Sequence, residues 1–324
     1  MVTRADNNER RRPKVEPAPP LVSVVITTYD RPSYLRKAVE SVRDQTYDNI
    51  ELVVVDDHSK TPAIETLSAI DTDSFADLRC IRHDENRGAN VARNTGVRAV
   101  NGEYVAFLDD DDRWVPEKIE RQVRRFEAAE ESVGVVYTGI ETVRNGEIGE
   151  EIPPPIEGDI TKALLCRNVV GTMSTIMVRS EIAKATPFDE QFPAWADLEW
   201  YINLSRRTEF SRIPDPLVVY EFTSDHRLSD DFEKAVESYE LFVERFDPVA
   251  AEYGRLFRRK MRGWAAYRVG ASGIHTGHYE RPRRFLLTAT TTYPFEPTFW
   301  KYLLVSFGGR PTHRIVRRLK RHAT

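Results

Sequence analysis

An α/β architecture, a mostly parallel sheet flanked by helices, is the fold class this sequence predicts, and two patterns predict it. Short, near-continuous apolar runs rich in β-branched residues alternate with stretches whose apolar residues recur at helical spacing. The short runs have the composition of strands buried on both faces, as a parallel sheet between helix layers requires. With 324 residues and 40% hydrophobic side chains, the chain can bury a full core.

Residues 1–20 are polar, charged and Pro-rich, a composition that reads as a flexible leader. Arg10, Arg11 and Arg12 are not followed by an apolar stretch, so a secretory signal is not expected. The fold begins at Leu21 with a strand over 22–27. Pro32 and Ser33 supply the fixed φ and the capping hydroxyl of a helix along which Leu35, Ala38, Val39 and Val42 share a face. The alternation continues with strands over 51–55, 78–82, 104–108 and 133–137 and helices over 63–70, 89–99 and 116–129. Between 140 and 155 it breaks into a hairpin about Asn145-Gly146 and a Pro run. A strand over 174–178, a helix around 198–204 and a mostly helical stretch follow. The expected organisation is a leader (1–20), an α/β domain (21–228) and a helical C-terminal region with a basic tail (229–324).

A net charge of −4, from 51 acidic and 47 basic residues, gives no overall attraction to nucleic acid. Cys80 and Cys166 lie far apart with no paired spacing, against a disulfide framework or zinc cluster and in keeping with a reducing, cytoplasmic setting. No run approaches the roughly 18 apolar residues that span a bilayer.

In an open parallel sheet, ligands bind beyond the carboxyl ends of the strands. Those ends are rich in chemistry. The first is followed by Thr27, Thr28, Tyr29 and Asp30, the second by Asp56-Asp57, the third by 86–90 with Arg93 and Asn94, and the fourth by Asp109-Asp110-Asp111-Asp112. Four adjacent carboxylates repel one another unless neutralised. Hard oxygen ligands select Mg²⁺ or Mn²⁺, which keep waters and bridge to phosphate oxygens, so a diphosphate is the expected partner. A solvated acidic turn is the bland alternative, and Asp56-Asp57 can equally cap the following helix. Neither Gly-x-Gly-x-x-Gly after the first strand nor Gly-x-x-x-x-Gly-Lys-Ser/Thr is present, against a dinucleotide dehydrogenase or a P-loop ATPase.

The segments Val22-Ser23-Val24-Val25-Ile26-Thr27-Thr28-Tyr29-Asp30-Arg31-Pro32, Val55-Asp56-Asp57-His58-Ser59, Asn86-Arg87-Gly88 with Ala92-Arg93-Asn94-Thr95-Gly96, and Phe107-Leu108-Asp109-Asp110-Asp111-Asp112 occur in order. Together they resemble the family 2 glycosyltransferases of GT-A fold, over about 21–220. The resemblance implies an inverting transferase that moves a sugar from a nucleotide diphosphate to a hydroxyl. It implies that Thr27 and Tyr29 contact the base and ribose, that Asp57 reads the base, and that Arg93 lies near the phosphates. Asp109 and Asp111 match the Asp-x-Asp metal element for Mn²⁺ or Mg²⁺, with Asp111 the direct ligand and Asp110 on the ribose. Asp112 leaves that register ambiguous. The catalytic base is expected in Trp195-Ala196-Asp197-Leu198-Glu199-Trp200-Tyr201, with Asp197 first and Glu199 second. Two residues apart on a helix, the two acids do not share a face. A UDP-sugar is the first expectation for the donor. Gly171-Thr172-Met173-Ser174 resembles the family's acceptor loop, and Trp195 and Trp200 are candidate sugar-stacking residues or core.

Near the C-terminus an aromatic, apolar stretch over 299–307 precedes Arg310, Arg314, Arg317, Arg318, Lys320 and Arg321. Such a stretch can lie on an anionic membrane surface or be an ordinary packed helix with a solvated basic end. The first reading places the enzyme peripherally on the inner face of the membrane. Its acceptor is then a polyprenyl-linked saccharide, for a surface polysaccharide or a glycoprotein glycan. Two other readings of the carboxylate-bearing sheet are a nucleotidyltransferase and a non-catalytic sugar-nucleotide or glycan binder. The first lacks a Gly-rich basic triphosphate loop; against the second stand intact Asp111 and Asp197.

Overall fold

The computed structural model describes residues 18–144, 146–222 and 231–321, with side chains as far as Gly309 in the last segment. Most of the expected leader, Asn145 of the expected hairpin turn and the 228/229 domain boundary lie outside the described residues. The first half alternates as its periodicity predicts: β1 (Val22–Thr28), α1 (Pro32–Arg43), β2 (Ile50–Asp56), α2 (Ala63–Leu67), β3 (Asp77–Arg82), α3 (Ala89–Ala99) and β4 (Tyr104–Asp109). Beyond it come β5 (Asp112–Trp114), α4 (Lys118–Glu127), β6 (Val133–Arg144), β7 (Glu147–Ile152), α5 (Thr161–Cys166), a 3₁₀ turn (Met173–Thr175), β8 (Ile176–Arg179), α6 (Ser180–Ala185), α7 (Ala196–Ser205) and β9 (Glu209–Phe222). Four helices follow, α8 (Phe232–Glu252), α9 (Arg255–His275), α10 (Glu280–Thr292) and α11 (Pro297–Arg321).

The strands form one sheet in the order β3-β2-β1-β4-β8-β6-β9-β5, with β7 paired to β6 as a hairpin. β1 is parallel to β2 and β4, and β2 to β3; β8 is antiparallel to both its neighbours. Alternate strand residues feed two cores, because successive side chains point to opposite faces. Val24, Ile26, Leu52, Val54, Ala106 and Leu108 pack with α1, α2 and α4. Val25, Val53, Val55, Val105 and Phe107 pack with α3, α5, α7, α8 and α9. Thus α8 and α9 share a core with the helices expected for the α/β domain.

Two strands depart from expectation. β9, which contains Pro214 and Pro216, is not among the expected strands. It carries them through register shifts against β6, where Gly139 leaves room that a Cβ would lose to the Pro214 carbonyl. β5 is only three residues long. The strand expected over 174–178 begins two residues later, after the 3₁₀ turn.

At the base of the sheet, Glu51 on β2 accepts bonds from Ser23 on β1, from the Asn101 and Gly102 amides leading into β4, and from Arg79 on β3. Burial alone would raise its pKa, but these donors hold it below the ordinary carboxylate value. One carboxylate therefore ties the start of the four parallel strands together.

Two substitutions test this packing. Gly96 lets α3 lie directly on β1, and a Cβ there would overlap Val25 Cγ1. Gly96→Ala should destabilise by about 1–3 kcal/mol in denaturant titration. Between α8 and α9, Asp247 takes bonds from Arg258 (2.9 Å) and Arg262 (2.7 Å). Hydrogen bonds from Arg258 first, opposed by burial and reinforced by Arg262, hold its pKa down to about 2. That is below an unfolded aspartate, so the contribution is full above pH ~4 and is lost as pH falls through about 2. Allowing for screening of the partly exposed guanidiniums, Asp247→Asn should cost roughly 1–2 kcal/mol at pH 7 and little near pH 2. Urea midpoints at both pH values check it.

Candidate active site

Parallel pairing sets the carboxyl ends of three strands level. Thr28 stands opposite Asp56, and Thr27 opposite Asp109. Loops leaving β1 and β2 are laced together: the Asp30 amide donates to Ser59 Oγ (2.9 Å), and the Lys60 amide to Asp30 Oδ1 (2.6 Å). Both turns use left-handed backbone at non-glycine residues, Asp30 (φ 55°) and His58 (φ 72°). Such strain gathers at sites where the surroundings over-determine the chain. Tyr29 is left 46% exposed, a ring face open at the mouth of the cleft.

The two aspartates after β2 have separate tasks. Asp56 caps α2, accepting from the Ser59 (2.8 Å) and Ala63 (3.0 Å) amides and from Arg82 (2.6 Å). Asp57 accepts from the Arg87 (2.9 Å) and Gly88 (2.7 Å) amides and pairs with His83 Nδ1 (2.7 Å). Three of its roughly four lone-pair positions are thus taken by the chain. The fixed loop ends at Gly88 (φ 89°), which starts α3. On that helix Asn90 and Asn94 clamp the 188–192 loop, Asn90 Nδ2 reaching the Asp189 carbonyl and Asn94 the Phe188 amide and carbonyl. Arg93 turns instead to the site and donates to Asp109 Oδ1 (2.9 Å).

The carboxylate row after β4 is dispersed by its partners. Asp109 lies between Arg93 and the Thr172 hydroxyl (3.1 Å). Asp110, 7% exposed, accepts from Thr28 Oγ1 (2.7 Å) and Arg31 (3.2 Å). Burial pushes its pKa up to about 6 against those donors. Arg31 also reaches Asp111 Oδ2 (3.1 Å), whose pKa is raised by burial and then by the charge of Asp109. Asp112 points inward to Ser174 Oγ (2.6 Å) and Thr172 Oγ1 (3.1 Å), with Oδ1 buried and unpartnered. Burial, with the charge of Asp109, raises its pKa well above the usual range. Asp112 is therefore a structural acid behind the row, and Asp109 and Asp111 are its more exposed members, at 29% and 31%.

Among the described residues no three His, Cys, Asp or Glu side chains converge as a metal cage. Mg²⁺-type sites need only one or two carboxylates, completed by phosphate oxygens and water. Asp111 and Asp109, the two members of the row with side chains open to solvent, fit such a site.

Across the cleft, α7 begins at Trp195, a third left-handed non-glycine residue (φ 60°). Asp197 on its first turn is half-buried and accepts from Asn168 Nδ2 (3.0 Å). Burial raises its pKa; the Leu198 amide and Arg93 oppose this, Asp109 adds to it and Arg268 opposes it. Asp197 thus shares one electrostatic neighbourhood with the β4 end. Glu199 faces the other way, fully buried against Asn203 (2.6 Å) and Arg245 of α8 (2.8 Å). Of the candidate stacking residues, Trp200 is core, stacked on Phe188 at 4.2 Å. Trp195 packs edge-on against Phe242.

Sequence reasoning assigned no role to Arg31, Asn168 or His83. Each acts through a partner tens of residues away, and no local spacing signals that.

A protein-family model for glycosyl transferase family 2 matches residues 23–184. An uncharacterized glycosyltransferase of Rickettsia bellii is 30% identical over 193 residues, 58% of this chain and 28% of that one. One from Methanocaldococcus jannaschii is 26% identical over 225 residues, 68% and 77% of the two chains. The chain spans about a third of the length of the Rickettsia relatives it matches. Among solved structures, S. aureus TarS 1–349 in complex with UDP-GlcNAc superposes with TM-score 0.57 at 16% identity, over 88% of this chain and 91% of that one. The mannosyltransferase PcManGT from Pyrobaculum calidifontis, in complex with GDP-Man and Mn²⁺, gives 0.54 at 20% identity over 91% and 89%. These likenesses show the GT-A fold with C-terminal helices. With the family model matching half of its length, the chain belongs to the family 2 glycosyltransferases.

Proposed function

We propose that this protein moves a sugar, a hexose in the first instance, from a nucleotide diphosphate to a hydroxyl with inversion at the anomeric carbon. The observation that carries this reading is Asp197: a half-buried carboxylate with a raised pKa, across the cleft from the Arg93–Asp109 pair. A base poised nearer neutrality transfers protons efficiently, typically contributing about 10²–10⁴-fold. Asp197 takes the acceptor's hydroxyl proton as that oxygen bonds to the anomeric carbon. The bond from that carbon to the diphosphate breaks, and the nucleoside diphosphate leaves with its electron pair.

Tyr29 and Thr27 line the nucleotide's approach, Asp110 is the ribose acceptor, and the remaining lone pair of Asp57 is offered to the base. Asp111, with Asp109, would hold Mn²⁺ or Mg²⁺, which neutralises charge on the donor's two phosphates. Complexes of the two structural neighbours with UDP-GlcNAc and with GDP-Man and Mn²⁺ support a sugar nucleotide and a divalent ion here, and a UDP-sugar remains the first choice.

No described helix is long and apolar enough to cross a membrane. On α11, however, Trp300, Leu304 and Phe307 are exposed at helical spacing, 47%, 67% and 61%, with Phe295 beside them. The side chains of the basic residues from Arg310 to Arg321 lie outside the described residues. The apolar stripe supports peripheral contact with a membrane; the anionic inner face and the polyprenyl-linked saccharide acceptor rest on the basic sequence that follows it.

Asp197→Asn should cut turnover by at least about 10²-fold while donor affinity stays within a few-fold. Glu199→Gln should instead lower the unfolding midpoint by removing the buried charge that Arg245 and Asn203 hold, Arg245 keeping its pair with Asp189. Turnover that survives in Asp197→Asn would remove it as the base, and proton NMR showing retention would remove the single displacement. For the membrane, Trp300→Ser/Leu304→Ser/Phe307→Ser should lose co-sedimentation with anionic vesicles by tenfold or more, each buried side chain contributing about 1.5–3 kcal/mol. Equal binding by the wild type would discard the stripe.

A further inference from the structure

A cavity of about 340 Å³ opens where the end of α5 and the next loop (Cys166, Arg167, Asn168) meet α9 (Trp264, Tyr267, Arg268) and Thr298 of α11. Two of the residues that line it carry a buried donor without a partner: Trp264, only 7% exposed, its indole N–H, and Arg268 its Nη1. An unmet buried donor costs about 1–3 kcal/mol. Two on one cavity point to a ligand that brings acceptors.

The cationic group is fixed in place. Arg268 Nη2 donates to the Cys166 carbonyl (3.2 Å), and the guanidinium lies over the rings of Trp195 (4.8 Å) and Phe242 (5.3 Å). Arg167 lies over Trp264 at 5.3 Å. Around Cys166, Lys260, Arg268 and Arg167 oppose Glu296, which is itself engaged by the Thr298 hydroxyl (2.7 Å), and Asp197 acts on Arg268 from the neighbouring site. Fixed donors in positive surroundings select an oxyanion, and a guanidinium fork matches its geometry. Asn168 lines this cavity and also donates to Asp197, so the cavity adjoins the proposed base.

We infer that this cavity is an acceptor subsite that binds an oxyanion carried by the acceptor saccharide. A phosphate suits it better than a carboxylate, since two cations face the ligand. The word acceptor rests on the transferase reading above; the anion site does not.

The test is calorimetric titration of the full chain with glucose 6-phosphate, inorganic phosphate and glucuronate, comparing wild type with Trp264→Phe and Arg167→Gln. A parallel titration with UDP-GlcNAc and GDP-mannose, with Mn²⁺, reports both folding and the donor site. Glucose 6-phosphate should bind most tightly and weaken about five- to tenfold in each variant, as for loss of one charge-assisted or buried hydrogen bond. Nucleotide-sugar binding should not change. Equal glucose 6-phosphate affinity in all three proteins, or none in a wild type that binds a nucleotide sugar, would overturn the cavity assignment alone. Inorganic phosphate binding as tightly would overturn its link to the acceptor, and glucuronate binding as tightly would overturn the preference for phosphate. Sugar-phosphate binding as expected, with no nucleotide sugar bound, would leave the anion site standing and overturn the transferase reading.

Discussion

The register of β1 between β2 and β4 is the constraint on which the site depends. Because side chains alternate with period two, a slip of one residue would exchange the two cores and swing each strand-end group to the opposite face. In register, Thr28 meets Asp56 and Thr27 meets Asp109 at one end, while Glu51 gathers Ser23, Asn101, Gly102 and Arg79 at the other. The apolar runs between these ends would bury both faces in more than one register, so the polar contacts at the two ends select this one. The polar groups then mark the two limits of the strands.

Excess negative charge is the second organising feature. Four consecutive aspartates coexist because partners divide them: Asp109 goes to Arg93, Asp110 to Thr28, Asp110 and Asp111 share Arg31, and Asp112 turns into the Thr172–Ser174 turn. Burial raises the pKa of three of them, and the charge of a neighbouring aspartate adds to it in each case. Arg31, 42% exposed, holds Asp110 and Asp111, the second of them the proposed direct ligand of the cation. Strained backbone at Asp30, His58 and Trp195 surrounds the same cleft, a distribution expected where positioning outweighs local stability.

How much of this could be read from the sequence follows from the range of each interaction. β1, β2 and β4 were legible because continuous β-branched runs are local signals, and the strand-end aspartates because the topology of a parallel sheet says where to look. β9 was not legible: it contains Pro214 and Pro216, whose effect is absorbed by register shifts against Gly139 rather than by ending the strand. Glu199 could not be placed from helix spacing alone; its orientation is settled by Arg245, 46 residues away. In α8 and α9, Phe242, Phe246 and Met261 gave no local signal of their place, which is to complete a core begun by β1. Only the fold brings Arg268 and Trp264 beside Asn168 and so beside Asp197.

The central claim is that the strand-end carboxylates, through a divalent cation, hold the diphosphate of a sugar nucleotide. It is tested most directly by donor binding and hydrolysis across UDP-, GDP- and dTDP-sugars with Mn²⁺, Mg²⁺ or EDTA, comparing wild type with Asp111→Ala. The account predicts metal-dependent turnover of one donor, abolished by EDTA and by the substitution. Absence of nucleotide-sugar binding under every metal condition, or turnover indifferent to both EDTA and Asp111→Ala, would contradict it.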